Sequence, residues 1–203
     1  LIIEDSDDKS REDIINDFEE ELDKIELQVE QALYYSKIDS FAKDYFIQEI
    51  FLNKVIKDVV KKHAREYISK RIKLDIKDTE VRINTDEKWL RFIIDQILSN
   101  SLKYTDKGGT ISIRAEEKEK RINLYIEDNG IGIKDEDIGR VFDKGFTGYT
   151  GRRKKKSTGL GLYLASKLAE KLGHRIKIES EYGEYTRVII VFPRLTGYYD
   201  MDR

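Results

Sequence analysis

The sequence predicts an α+β fold, an α/β sandwich in which a mixed sheet packs on helices and a helical segment precedes it. Three observations carry that prediction. Short runs of alternating apolar residues, bounded by glycine turns, are interleaved with longer runs of helical period. The first forty residues are charged and helix-friendly, without a glycine or a proline. With 203 residues, 39% of them hydrophobic, the chain can fill a core of one or two domains.

Each element follows in order. Ile15, Phe18, Leu22, Ile25, Val29 and Ala32 alternate steps of three and four, the seam of a helix packed lengthwise on partner helices. A single amphipathic helix laid on a globular domain would show the same period. From Tyr45, "YFIQEIFL" reads as a strand, and Asn53 is placed to cap a helix carrying Val55, Ile56, Val59 and Val60 on one face. "RIKLDIK" (71–77) and "EVRIN" (80–84) are short strands. Residues 86–105 form a long helix with acids in its first turn and Trp89, Ile93, Ile97 and Leu98 inward. "DKGG" turns the chain into strand 110–116, with 121–128 as its partner. Residues 162–172 form another amphipathic helix, stopped by Gly173. "RIKIES" and "TRVIIVF" turn around Tyr182-Gly183 and end at Pro193, the only proline. No internal repeat is present, and 194–203 is an appendage.

Composition excludes several function classes. Lys plus Arg number 38 and Asp plus Glu 40, a net charge of −2 that offers no general attraction to nucleic acid. The absence of cysteine removes disulfides, thiolate metal sites and a cysteine nucleophile. No apolar run has the length of a membrane span, and no signal peptide is visible. The start at Leu1 is expected of a fragment. Against this background Arg152, Arg153, Lys154, Lys155 and Lys156 form a local basic run inside "KGFTGYTGRRKKKSTGLG" (144–161). A nucleic-acid patch and a plain solvated loop are the readings to set beside a ligand-gripping one.

Three segments carry chemistry. In "EDNGIGI" (127–133) a carboxylate, Asp128, ends a strand beside Gly130 and Gly132, which permit a close ligand approach. Such a carboxylate can accept a hydrogen bond from an exocyclic amine. An ordinary Asn-Gly turn is the bland alternative. The dinucleotide pattern fails because position 135 is Asp, and no P-loop motif occurs. In "STGLGLYLASKLAEKLG" (157–173), Gly159 and Gly161 open directly into a helix whose first amides favour an anion; Ser157 or Thr158 could instead simply cap it. In "QILSNSLKYT" (96–105), Gln96, Asn100 and Lys103 share a helix face. An asparagine oxygen suits Mg²⁺ and a nearby lysine suits the phosphate that accompanies it.

Together these segments resemble the N, G1 and G2 boxes of the GHKL ATP-binding superfamily (the Bergerat fold), in the order and spacing of bacterial sensor histidine kinases. "GRVFDKGFTG" (139–148) resembles the intervening F box. The resemblance covers about residues 45–193 and implies an ATP-binding catalytic domain there. It also implies a dimerisation segment over 1–44, with 1–10 the tail of a first hairpin helix and 11–38 the second. "ELDKIELQVEQALYYSKIDS" and "DKGFTG" are similar to the kinases that work beside peptide-antibiotic ABC transporters in Gram-positive bacteria. By this resemblance the cofactors are ATP and Mg²⁺. Asp128 would bind the adenine amine, helped by Gly130, Gly132 and Thr186. Asn100 would hold Mg²⁺, with Lys103 and Tyr104 lining the nucleotide. Gly159, Leu160, Gly161 and Leu162 would meet the phosphates through backbone amides, next to Ser157 and Thr158. Residues 144–158 would form the ATP lid. The implied activity is transfer of the γ-phosphoryl to a histidine and on to an aspartate of a response-regulator receiver domain. The implied setting is a homodimeric plasma-membrane receptor of which this is a cytoplasmic fragment.

Two positions depart from the pattern: Gln96 stands where Asn is usual, and Thr147 where the F box often has arginine, a charge Arg152 or Arg153 would supply. The family's phosphoacceptor, a histidine followed by an acid, has no counterpart, since His63 and His174 lack that context and read as structural. A GHKL ATPase and a non-catalytic nucleotide-binding regulator are the alternatives.

Overall fold

The structure is a computed structural model describing residues 11–37, 45–148 and 158–194. The segments 1–10, 38–44 and 195–203 lie outside the described residues, as does most of the basic loop. Helix α1 (Arg11–Lys37) is followed by β1 (Gln48–Phe51), α2 (Leu52–Lys62), α3 (Ala64–Lys70), β2 (Lys73–Ile76) and β3 (Arg82–Thr85). Then come α4 (Glu87–Tyr104), β4 (Thr110–Lys118), β5 (Arg121–Asp128), α5 (Asp135–Ile138), α6 (Gly161–Lys171), β6 (Arg175–Glu181) and β7 (Tyr185–Pro193). Among the described residues no helix is long and apolar enough to cross a membrane.

Five strands form one sheet in the order β2-β4-β5-β7-β6, and β1 and β3 form a separate ribbon. Only β2–β4 is parallel within the larger sheet; the other pairs are antiparallel. The single sheet expected from sequence is therefore divided. Alternation gives β1 and β3 their strand character, and Gln48 opposite Thr85 through Phe51 opposite Arg82 pairs them with each other.

Period two puts Ile111 and Ile113, Leu124 and Ile126, and Ile190 and Phe192 on one face, all buried against α2, α4 and α6. Helix α4 is the centre of this layer. Trp89, Leu90, Ile93, Ile94, Ile97 and Leu98 are fully buried around it, so its apolar surface is wider than the stripe read from sequence. Asp86 caps it by accepting from the Trp89 amide at 3.0 Å. Helix α2 differs from expectation: it starts at Leu52, directly after β1, and Asn53 does not cap it. The Leu52 backbone amide donates to the Val81 carbonyl at 3.0 Å, and the Asn53 side-chain Nδ2 donates to the Asp78 carboxylate at 3.2 Å. Helices α3 and α5 were not anticipated; at seven and four residues they are too short for a periodic signal.

Both histidines are buried structural groups. His63, at the α2–α3 junction, lies 2.8 Å from Asp95 and 3.3 Å from Glu66. Burial disfavours its charged form, but the hydrogen bonds and charges of Asp95 and Glu66 outweigh that and lift its pKa to about 9. Burial alone would raise Asp95, yet His63 and Lys62 hold it below the usual carboxylate range. The raised histidine pKa fixes the sign of the linkage. The pair's stabilisation is full below the unfolded histidine value near 6.5 and is lost as pH rises through about 9. His63→Ala strands Asp95 with Lys62 alone, so at pH 7 it should cost roughly 2–3 kcal/mol, fading above about pH 9. Denaturant melts of both proteins at pH 7 and pH 10 check this. His174 is the opposite case. Its Nε2 meets the Thr85 hydroxyl at 2.8 Å, and burial pulls its pKa down to about 4, so it is neutral.

Candidate functional site

The chemistry-bearing segments converge on one side of the helix layer because backbone contacts tie them together. The turn after β5 docks on the end of α4: the Ile131 amide donates to the Tyr104 carbonyl at 3.2 Å. It is clamped from the other side by the β6–β7 hairpin. The Gly183 amide donates to the Ile131 carbonyl at 2.8 Å, and the Ile133 amide to the Ser180 hydroxyl at 2.8 Å. Gly132 is required here, since it has φ of 65° and a Cβ would run into the Glu181 carbonyl. Gly159, at φ of 67°, packs on the backbone of Gly145 and Phe146. The Gly145 amide also donates to the Gly159 carbonyl at 3.0 Å, which ties together the two ends of the loop read as a lid.

These ties enclose a cleft of about 670 Å³. Of the residues singled out from sequence, Asn100, Tyr104, Asp128, Gly132 and Thr186 line it, and so do Thr158, Gly159, Gly161 and Leu162. Three others adjoin lining residues along the chain. The Lys103 ammonium lies over the Tyr104 ring at 5.2 Å, Gly130 packs against the Tyr104 carbonyl, and Leu160 precedes the first turn of α6. Arg152, Arg153 and Ser157 fall outside the described residues.

The two ends of the cleft differ in chemistry. At one end Asp128 is buried beneath an apolar wall that includes Ile131, Ile178 and Val188. Burial raises its pKa to about 6, against the opposing pull of hydrogen bonds from the Ser101 hydroxyl and the Gly130 amide. A desolvated carboxylate accepting only two bonds retains capacity for another donor. Ser101 was not singled out from sequence, although it stands next to Asn100 in the same segment. At the other end α6 begins at Gly161 with no side-chain cap, leaving its opening amides to a ligand or to water. The Thr158 hydroxyl accepts from the Leu160 amide at 3.3 Å, so it folds the turn rather than capping the helix.

Between the two ends stands Asn100. Its Nδ2 donates to the Gln96 carbonyl at 3.0 Å, so its oxygen is the terminal atom left to face the cleft. Among the described residues no cluster of three or more His, Cys, Asp or Glu could hold a metal ion. A single amide oxygen is too little for a protein-only cage. It fits Mg²⁺, which keeps waters and shares phosphate oxygens.

Residues 85–196 match the family described as histidine kinase-, DNA gyrase B-, and HSP90-like ATPase. The chain belongs to this ATPase family. Sensor histidine kinase YxdK of Bacillus subtilis (strain 168) is 36% identical over 195 residues, covering 95% of this chain and 58% of that protein. Sensor protein BceS of the same strain is 37% identical over 170 residues, covering 84% of this chain and 51% of that protein. This chain spans little more than half the length of the curated relatives it matches. Among solved structures, full-length ShkA in complex with AMPPNP superimposes with a TM-score of 0.72 at 20% identity. That superposition covers 85% of this chain and 36% of ShkA, and it shows a shared ATPase-family fold.

The helical entry contributes to the same cleft, which the sequence did not signal. Tyr34 of α1 packs on the rings of Trp89 and Phe92, with centroids 5.1 and 4.0 Å apart. Gln31 of α1 is buried between α4 and the start of α6. Of the apolar seam, Ile25 also lines the cleft, and Phe18, Leu22, Ile25 and Val29 are about half exposed or more.

Proposed function

We propose that residues 45–193 are the ATP-binding catalytic domain of a two-component sensor histidine kinase, preceded by part of its dimerisation helix. The observation that carries this is the two-ended cleft: a buried carboxylate with spare acceptor capacity at one end, an uncapped helix start at the other, and an amide oxygen between them. Those ends match an adenine amine and a polyphosphate, and the ATPase-family match makes ATP the nucleotide of choice. Asp128 accepts from the base, with Thr186 and Gly132 beside it. Asn100 holds Mg²⁺, and Gly159 to Leu162 meet the phosphates. When bound, the metal neutralises phosphate charge and orients the γ-phosphoryl. The chain's part is to position the base, exclude water and hold the phosphates.

The relatives' names support the kinase reading over an ATPase or a regulator. The working molecule transfers the γ-phosphoryl to a histidine on a dimerisation hairpin and then to a receiver-domain aspartate. The exposed seam of α1 fits a homodimer through that hairpin. On the similarity to sensor kinases of Gram-positive bacteria, we infer that the whole protein sits at the plasma membrane with an ABC transporter as a partner and this domain on the cytoplasmic side.

Kinase chemistry can be tested directly with γ-labelled ATP. His63 and His174 are buried and held by Asp95 and Thr85, so the chain alone should take no acid-labile label. A histidine-bearing hairpin from YxdK, supplied in trans, should become labelled, weakly because effective concentration is lost. Label on the chain that disappears with His63→Ala or His174→Ala would overturn the assignment. The metal role has its own check. Asn100→Ala should weaken ADP about tenfold with magnesium and hardly at all with a chelator present, for a lost charge-assisted contact of about 1–2 kcal/mol. Calorimetry in the two buffers reads the difference.

A further inference from the structure

Gln31 sits where three segments meet. Its Nε2 donates to Gln96 Oε1 at 2.7 Å, and its Oε1 accepts from the Thr158 hydroxyl at 2.9 Å. One carboxamide on α1 therefore bridges α4 to the turn that opens α6. Both glutamines are buried, and Gln96, 2% exposed, leaves its Nε2 without a partner while lining the cleft. The bridge has been given room: a Cβ on Gly161 would stand 2.7 Å from Gln96 Oε1. A buried polar bridge costs desolvation unless every bond is made, so its closure fixes the rotamers of all three side chains. Tyr34, one turn further along α1, packs on Trp89 and Phe92 and holds the helix at the same place.

We propose that Gln31 is a positioning residue for the phosphate end of the nucleotide site, making docking of α1 and binding of triphosphate mutually reinforcing. The proposal rests on the nucleotide reading of the cleft. It acts through two partners. Thr158 precedes Gly159 and Gly161, whose backbone faces the phosphates, so holding its hydroxyl sets the entrance to α6. Gln96, held by its oxygen, keeps its side-chain nitrogen buried in the cleft wall. With Gln31 removed, the Gln96 carboxamide can turn either way and the turn at Thr158 loses its anchor to α1. By reciprocity, a nucleotide that needs this arrangement tightens the docking of α1 by the same factor it gains. A signal that moves α1 thereby changes nucleotide affinity without touching the base end.

The intact chain and its Gln31→Ala, Gln31→Glu and Gln31→Lys variants test this in two arms. Without nucleotide, amide hydrogen exchange at 32–36 and 160–164 should be at least about tenfold faster in Gln31→Ala, because both sides of the bridge lose a tether. Unchanged exchange there overturns the bridge, whatever the cleft binds. With nucleotide, the ratio of ATP to ADP affinity should fall about fivefold in Gln31→Ala, Gln31→Glu and Gln31→Lys alike, since each breaks at least one bond of the bridge that sets the phosphate end. A ratio that stays constant in all three variants would mean that Gln31 only packs the helix. If the unmodified chain binds neither nucleotide, the nucleotide reading falls and with it the positioning role, while the exchange arm still decides the bridge.

Discussion

Asp128→Asn should abolish most adenine-nucleotide binding and, in the same protein, raise the stability of the nucleotide-free chain. The two effects have one origin. Burial lifts the Asp128 pKa from 3.8 to about 6, so at pH 7 the ionised carboxylate is held at a cost of about 3 kcal/mol. An asparagine oxygen still accepts from the Gly130 amide and the Ser101 hydroxyl but carries no charge to desolvate; we expect a gain of about 1–2 kcal/mol. The nucleotide loses a charged acceptor for its amine, worth roughly 1.5–3 kcal/mol, or about ten- to a hundredfold in affinity. The pH dependence follows with its sign. Asp128 is an acid whose folded pKa is raised, so its contribution to apo stability grows as pH falls from about 6 towards 3.8. Nucleotide affinity declines over the same interval as the carboxylate is protonated. Thermal melts with and without ADP at pH 5 and pH 7.5 would show the opposed trends. Equal stability of the two apo proteins with unchanged affinity would remove Asp128 from the site.

The largest loss of stability is expected at Trp89. It is fully buried in the first turn of α4, its amide bonds the Asp86 cap, and its ring meets Tyr34 from α1. Trp89→Ala removes the largest fully buried side chain, and the neighbours come from separate elements that cannot all collapse inward. A loss of about 3–5 kcal/mol is expected, a large part of a domain's total stability. Urea melts followed by far-ultraviolet circular dichroism should show a lower midpoint with the slope unchanged. Because Tyr34 loses its edge partner, amides of 32–36 should also exchange faster at low denaturant. A loss below about 1 kcal/mol would contradict the central place given to α4.

The elements that could be read in the sequence are those fixed by local rules. The apolar period of α4, the alternation of β4, β5 and β7, and the glycine turns each follow from residues within a few positions of one another. What was not legible depends on distant partners. Alternation marks β1 as a strand but says nothing of which strand it joins, and its partner β3 lies beyond two helices. Asn53 had the right chemistry for a cap, but Leu52 already enters α2 through the Val81 carbonyl, so no capping position remained for it. The same division runs through the cleft. Asp128, Gly132 and Asn100 were visible because strand ends, tight turns and polar positions on an apolar helix demand an explanation locally. Ser101 was hidden by its ordinariness beside Asn100. Gln31 is one polar residue in a charged helix, and its role depends on Gln96, 65 residues away, and Thr158, 127 residues away.

Whether the two-ended cleft is an adenine-nucleotide site is decided most directly by titration calorimetry of ADP and ATP into the intact chain, with and without magnesium. Binding should be one to one, tighter with magnesium, and lost on Asp128→Asn. GDP should bind far more weakly, because a guanine presents a carbonyl where Asp128 needs a donor. At a hundred times Kd the nucleotide should then stabilise the fold by about 2.7 kcal/mol. Heats no larger than dilution from a folded sample, or equal affinity for ADP and GDP, would contradict the assignment of Asp128 to the adenine amine.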